Sequence, residues 1–232
     1  MTHERSSADM ARYRVGYEAE PLRESELAAN PLAQFDAWFD EAVMAGLPEP
    51  NAIHLATCGT GDPVGPTLRA VLAKSVTADG IRFFTNTEST KGRQLAQNPA
   101  VAASFTWFPV HRQIHFLATA QPLPRSEVAA YYATRPREAQ IGAWASRQST
   151  VLTDRTDLQQ RYDHFAHEFA DQQDAINVPP YWGGYLLRPH SVEFWQGQPS
   201  RLHDRLRFVA QQLADPPLLS ASEGWKVERL SP

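Results

Sequence analysis

The chain reads as mainly β, a closed antiparallel barrel with helices at its periphery, on three observations. Short segments rich in Val, Ile, Phe and Thr succeed one another from Ala52 to Ala120 and again from Tyr185 to Leu230. Turn residues such as Asp79-Gly80 part them, and spacing this close favours antiparallel pairing. Helical periodicity is confined to a few stretches around these runs, so a sheet closed on itself accounts best for the order.

Taken from the start, residues 1–29 are polar and lack sustained periodicity, which predicts a flexible N-terminal arm ahead of a single domain over 30–232. Asn30 can cap a helix that Pro31 opens, in which Leu32, Phe35, Phe39, Ala42 and Val43 recur at helical spacing until Gly46 stops it. Strands are expected at 52–58, 68–76, 81–85, 101–107 and 113–120. A helix follows over 126–134, and Leu158, Tyr162, Phe165 and Phe169 mark another by recurring on one face. Further strands are expected at 185–188, 191–195, 201–209 and 225–230, with a loop rich in Pro, Ala and Ser at 211–222.

Bulk properties exclude several classes. A length of 232 residues suits one barrel domain, and 42% hydrophobic with 21% charged residues is ordinary for a globular chain. A formal charge of −4 argues against a general nucleic-acid binder, so any anion site must be local. The single cysteine, Cys58, excludes an intrachain disulfide and its apolar setting predicts a buried strand residue. No apolar run is long enough to span a bilayer and no signal-peptide core follows Met1, which together predict a cytoplasmic protein. The histidines are scattered without ligand spacing, so no metal site is expected.

Several short basic clusters could hold phosphate. Arg201, His203 and Arg205 alternate in what an extended strand would turn into one cationic face, with Leu202 and Leu206 on the other; a solvated strand gives the same pattern. Around Ser89, Thr90 and Lys91 a strand gives way to a helix start, whose free N–H groups suit an anion, although a plain capped surface helix reads identically. Arg69 and Lys74 sit five apart in an apolar strand, hence on opposite faces unless a bulge intervenes. Tyr131 and Arg135 lie four apart on a helix, where phenol and guanidinium can grip one phosphate or simply be neighbours. Gln113 and Gln148-Ser149 supply groups matching the donor and acceptor edge of a flavin-like heterocycle. Motifs of zinc proteases, serine hydrolases and phosphate-loop proteins are missing.

Together these segments resemble the pyridoxine/pyridoxamine 5′-phosphate oxidase family, FMN-dependent enzymes of vitamin B6 metabolism. The resemblance runs from about Arg14 to Pro232. It is carried by Thr134-Arg135-Pro136-Arg137-Glu138-Ala139-Gln140-Ile141-Gly142-Ala143-Trp144, by Gln148-Ser149, by Val192-Glu193-Phe194-Trp195-Gln196-Gly197 with Arg201-Leu202-His203-Asp204-Arg205, and by the ending Trp225-Lys226-Val227-Glu228-Arg229-Leu230-Ser231-Pro232. It implies a split β-barrel, antiparallel and homodimeric, with FMN at the subunit interface. By the same resemblance Arg69, Phe84, Thr85, Lys91, Gln113, Gln148, Ser149, Trp195 and Arg205 would bind FMN. Lys74, Tyr131 and Arg135 would take the substrate phosphate, Arg201 and His203 would flank the reacting carbon, and Arg14 with Tyr17 would form a lid from the arm.

The implied reaction is oxidation of pyridoxine or pyridoxamine 5′-phosphate to pyridoxal 5′-phosphate, with O2 as acceptor and H2O2 as product. Thr90 stands where many members carry Arg, Ala139 where a serine often meets substrate phosphate, and Val15 where the arm is often basic, while the turn from Gly61 to Arg69 is longer than usual for the family it resembles. Two alternatives therefore stay open: a flavin oxidase of a phosphate-free ring, as in phenazine biosynthesis, and a barrel that binds flavin, haem or deazaflavin without oxidase turnover.

Overall fold

A computed structural model describes residues 13, 16–17, 19–61, 63–172 and 176–232. Nine strands form one sheet: β1 (Ala52–Gly59), β2 (Gly65–Leu72), β3 (Ser75–Thr77), β4 (Gly80–Asn86), β5 (Ala100–Trp107), β6 (Arg112–Pro122), β7 (Trp182–Gln196), β8 (Asp204–Ala210) and β9 (Trp225–Arg229). Among the described residues five α-helices surround it: α1 (Pro31–Met44), α2 (Thr90–Gln97), α3 (Arg125–Ala133), α4 (Arg137–Ala145) and α5 (Arg155–Glu168).

Every strand pair is antiparallel, in the order β2-β1-β5-β6-β7-β4-β3, with β8 on β7 and β9 on β8. The outermost strands of that order, β2 and β3, are joined through Ala73 and Lys74, which brings the sheet's ends together. Ala73 N–H donates to Asn51 O at 2.9 Å and Lys74 N–H to Arg82 O at 2.8 Å. The barrel splits along β7: one edge pairs with β6 from Tyr185 to Gln196, while the other takes β4 over Trp182–Leu187 and β8 over Ser191–Gln196.

Alternation sets the core. Ile53, Leu55, Phe105, Ile114, Phe116, Phe194 and Leu206 point inward and are all but fully buried. Helix α1 closes one end of the barrel; Asn30 accepts from Ala33 N–H at 2.9 Å as its cap, and Trp38 meets Phe194 edge-on at 5.3 Å.

Some expectations are corrected. The run 68–76 is two strands, because the chain turns at Ala73–Lys74 to bond both neighbours. The expected strands 185–188 and 191–195 are one: Pro189 contributes no donor and the β6 register slips beside it, so His190 is bulged out rather than ending the strand. Arg201, His203 and Arg205 do not share a strand face. Pro199–Arg201 is a 3₁₀ turn with Ser200 and Arg201 in the left-handed region (φ 55° and 62°), β8 starts only at Asp204, and Leu202 is exposed. Cys58 is half-buried, not buried, on the outer side of β1. Helix α4 went unforeseen, since its only large apolar residues, Ile141 and Trp144, stand among Ala, Gly and Gln.

Tethers also hold the described residues just before Asn30. Leu22 is buried, Gln196 and Gln198 side chains both donate to Glu20 O, and Leu22 N–H donates to Asp204 Oδ2 at 3.0 Å. Arg229 bonds Leu22 O, Glu24 and Asp204. Such contacts join residues some 180 positions apart and leave no periodicity to read.

Candidate functional site

A cavity of about 720 Å³ opens where the ends of β2 and β4 meet the start of α2 and the facing sides of α3 and α4. It gathers Arg69, Lys74, Phe84, Thr85, Lys91, Tyr131, Arg135, Gln148 and Ser149, nine of the sequence-predicted residues. The break after β2 explains why Arg69 and Lys74 reach the same space despite their odd spacing. Arg135 lies just past the end of α3 rather than on it, in a turn closed by Arg135 N–H to Tyr132 O at 3.1 Å.

An aromatic stack forms one wall. Phe84 lies 4.0 Å from Tyr131 with planes 13° apart, and 5.6 Å from Trp182 with planes 6° apart. Gly184 pairs with Phe84 across the sheet, where a Cβ would come within 2.7 Å of the Phe84 ring, so the glycine makes room for the stack. The Arg135 guanidinium rests 4.8 Å over Trp182. Gln140 anchors this corner: its Nε2 donates to Arg135 O at 2.8 Å, and its own carbonyl accepts from the Tyr132 hydroxyl at 2.8 Å.

The electrostatics are one-sided. Among the described residues, four cations, Arg69, Lys74, Lys91 and Arg135, line the cavity and no carboxylate does. Arg135 Nη1 is buried without a hydrogen-bond partner among the described residues, and burial pulls the guanidinium toward its neutral form. Lys91, in the first turn of α2, donates to Gln148 Oε1 at 2.7 Å and Ser89 Oγ at 3.2 Å. Burial first, and the nearby Arg69 charge second, push its ammonium down to about 8. Cations without a carboxylate partner, Lys91 buried and Arg69 and Arg135 half-buried, beside flat aromatic faces fit phosphorylated rings, whose oxyanions would supply the missing charge. Ser149 holds φ 71°, a left-handed conformation unusual for a residue with a side chain and often found at binding sites.

The remaining predicted residues gather elsewhere. Gln113, Trp195 and Arg205 lie side by side across β6, β7 and β8. Glu193 holds Arg205 through two bonds, Nε to Oε1 at 2.7 Å and Nη2 to Oε2 at 3.0 Å. His203 packs 4.7 Å from Trp195, and Tyr17 meets His111, His203 and Trp195 edge-on at 4.6, 5.5 and 6.2 Å. Gln198 N–H donates to His203 Nδ1 at 3.0 Å, so in the neutral ring the proton sits on Nε2. Partial burial, then the Arg201 charge, lower the His203 pKa from its ordinary value. Arg14 lies outside the described residues.

These two groups stand at opposite ends of β7: Trp182 is in the cavity wall and Trp195 in the second cluster. The thirteen residue steps of strand from Trp182 to Trp195 span roughly 40 Å at about 3.3 Å each. Sequence reasoning missed Asn86 and Trp182 in the cavity and Glu193 behind Arg205. The Gly183-Gly184 pair opposite Phe84 was the available signal for the first group; Glu193 gave none, being one carboxylate in an alternating strand.

Comparison with known proteins bears on both groups. Residues 39–167 match the family model described as pyridoxamine 5′-phosphate oxidase, and residues 182–232 match the pyridoxine 5′-phosphate oxidase C-terminal dimerisation region. A pyridoxine/pyridoxamine 5′-phosphate oxidase of Salinispora arenicola is 49% identical over 91% of this chain and 90% of its own length. That of Salinibacter ruber is 45% identical over 96% and 99%. Among solved structures, PhzG from Burkholderia lata, in complex with tetrahydrophenazine-1-carboxylic acid, superposes with a TM-score of 0.79 at 27% identity, covering 94% of this chain and all (100%) of that one. An FMN-binding protein of Nostoc punctiforme shares the fold at a TM-score of 0.63 and 15% identity, covering 85% and 97%.

Proposed function

Since the chain belongs to the pyridoxine/pyridoxamine 5′-phosphate oxidase family, we propose that it binds FMN and oxidises pyridoxine or pyridoxamine 5′-phosphate to pyridoxal 5′-phosphate. The observation that carries the reading is the four-cation cavity without a carboxylate, walled by stacked aromatic rings. Two phosphates need two sets of donors, and the cavity offers them: Arg69 with Lys91 for the cofactor, Lys74 with Tyr131 and Arg135 for the substrate.

FMN held by Arg69, Lys91, Gln148 and Ser149 would supply the redox chemistry, as acceptor of the two electrons lost from the substrate's C4′ and donor of them to O2. The alcohol substrate and O2 then give aldehyde and H2O2; the amine also consumes water and releases ammonia. The protein's part is placement. Lys91 ties the cofactor region to Gln148 and, through it, Thr85, whose hydroxyl donates to Gln148 Oε1 at 3.1 Å. His203 presents an Nε2–H donor because Gln198 occupies Nδ1, and Arg201 adds charge beside it.

We further propose that each site is completed by a second copy of the chain. Gln113, Trp195, His203 and Arg205 are too far along β7 from the cavity to touch the same ligand within one chain. The outer face of the sheet carries an apolar row suited to such pairing: Leu68, Ala56, Ala102 and Leu117 are consecutive cross-strand partners, and Leu68 and Leu117 are exposed. The dimerisation-region match over 182–232 supports this, because Trp195, His203 and Arg205 all lie in it.

FMN-loaded protein supplied with each phosphorylated vitamer under air should form pyridoxal phosphate and peroxide; absence of turnover with both would defeat the reading. A phenazine-type substrate is the second reading, favoured by the likeness to PhzG and by Ala139, a cavity residue without a hydroxyl. Turnover of a dihydrophenazine carboxylate in preference to either vitamer would support it.

A further inference from the structure

Arg69 is held from behind by a buried polar network that neither the fold nor the proposed reaction explains. Its Nη1 donates to Leu55 O at 3.1 Å and to Thr57 Oγ1 at 2.6 Å, and its Nη2 donates to Thr67 Oγ1. Both threonine hydroxyls in turn donate to Gln94 Oε1, at 2.6 and 2.7 Å. Gln94 lies on α2, buried, and its Nε2 approaches Gly65 O at 3.4 Å, which fixes which end of the amide faces the threonines. Gly59, the cross-strand partner of Gly65, leaves the space: a Cβ there would stand 2.7 Å from Gln94 Cγ.

Hydrogen-bond polarity then dictates the arrangement. A hydroxyl has one proton, and here each is spent on the Gln94 carbonyl, so both threonine oxygens can only accept from Arg69. Three of the five guanidinium N–H groups are thereby committed, leaving Nε–H and one Nη2–H, neighbours along one edge of the fork. That edge suits two parallel bonds to an oxyanion. Burial already lowers the Arg69 pKa, which makes an anion in the cavity the more favourable.

We propose that Gln94 is a positioning residue for the cofactor phosphate, acting through Thr57 and Thr67 to lock the Arg69 guanidinium with its Nε–Nη2 edge free for an oxyanion. This rests on the reading of Arg69 as a phosphate holder. Gln94 does not line the cavity; it determines the direction of four hydrogen bonds in series with Arg69.

The test measures equilibrium binding of FMN and of riboflavin, which lacks the phosphate, to the apoprotein by quenching of flavin fluorescence. Gln94→Met and Thr57→Val should each weaken FMN binding about ten-fold and leave riboflavin binding unchanged. Thr57→Ser, which keeps the hydroxyl, should bind FMN as the unmodified chain does. The double variant should lose much less than the product of the single losses, because both act through one network. Thr57→Val is isosteric and carries the test if Gln94→Met does not fold. Equal losses for FMN and riboflavin would mark a merely structural role and overturn the proposal. If Arg69→Met weakens FMN binding but Gln94→Met and Thr57→Val do not, the positioning role alone fails. If Arg69→Met has no effect, the phosphate reading of Arg69 fails and the proposal with it.

Discussion

Lys91 and Arg69 are like-charged neighbours in one cavity, and with burial as the larger cause, the Arg69 charge as the smaller, the Lys91 ammonium is pushed down to about 8. The ordinary value is 10.5, so the folded, ligand-free chain holds this proton less tightly than the unfolded chain does. The resulting destabilisation is complete below about 8 and fades as pH climbs toward 10.5. An oxyanion beside Lys91 reverses the preference.

It follows that FMN binding takes up a proton near and above pH 8, and that affinity falls as pH rises through that region. Calorimetric titrations in two buffers of different ionisation enthalpy measure the uptake directly. Lys91→Met should abolish it; equal heats in both buffers for the unmodified protein would remove Lys91 from the phosphate site.

Arg135 has a buried Nη1 with no partner among the described residues, and its ring platform, Trp182, keeps it in place without one. A charge-assisted hydrogen bond contributes roughly 1.5–3 kcal/mol, so Arg135→Ala should raise KM for a phosphorylated vitamer by about ten- to hundred-fold. Steady-state kinetics with pyridoxine, which has no phosphate, supply the control: that weak reaction should be indifferent to the change.

Gly92, in the first turn of α2, packs directly against the Thr87 carbonyl, which an added Cβ would strike. Backbone must shift to admit it, so Gly92→Ala should destabilise by about 1–3 kcal/mol despite the better helix propensity of alanine. Denaturant unfolding measures this, and an unchanged midpoint would contradict the tight approach of α2 to the β4 end.

Part of the cavity was legible from residue chemistry: Arg69 and Lys74 stood out as cations in an apolar strand, Lys91 as a cation at a helix start, and Arg135 by its spacing of four from Tyr131. Their convergence was not. Arg69 and Lys74 share a cavity through the turn between β2 and β3 at Ala73–Lys74, set by backbone bonds to Asn51 and Arg82, and Arg135 through a turn after α3. Strand periodicity mis-stated Arg201, since Pro199 and two left-handed residues end the extended chain there. The bulge at His190 and the tethers on Glu20 and Leu22 depend on partners far away in sequence, which no local pattern encodes.

The shared site is tested most directly by hybrid dimers. Arg135→Ala damages the cavity half and His203→Ala the β7–β8 half; with substrate well below KM, each alone should be nearly inactive. Mixed and allowed to exchange subunits, random pairing makes about half the dimers hybrid, each with one intact site and one doubly damaged, for about a quarter of normal activity. Recovery near that level is the expected result. Activity no higher than that of either variant alone would mean that both halves act within a single chain, against the separation of Trp182 and Trp195 along β7.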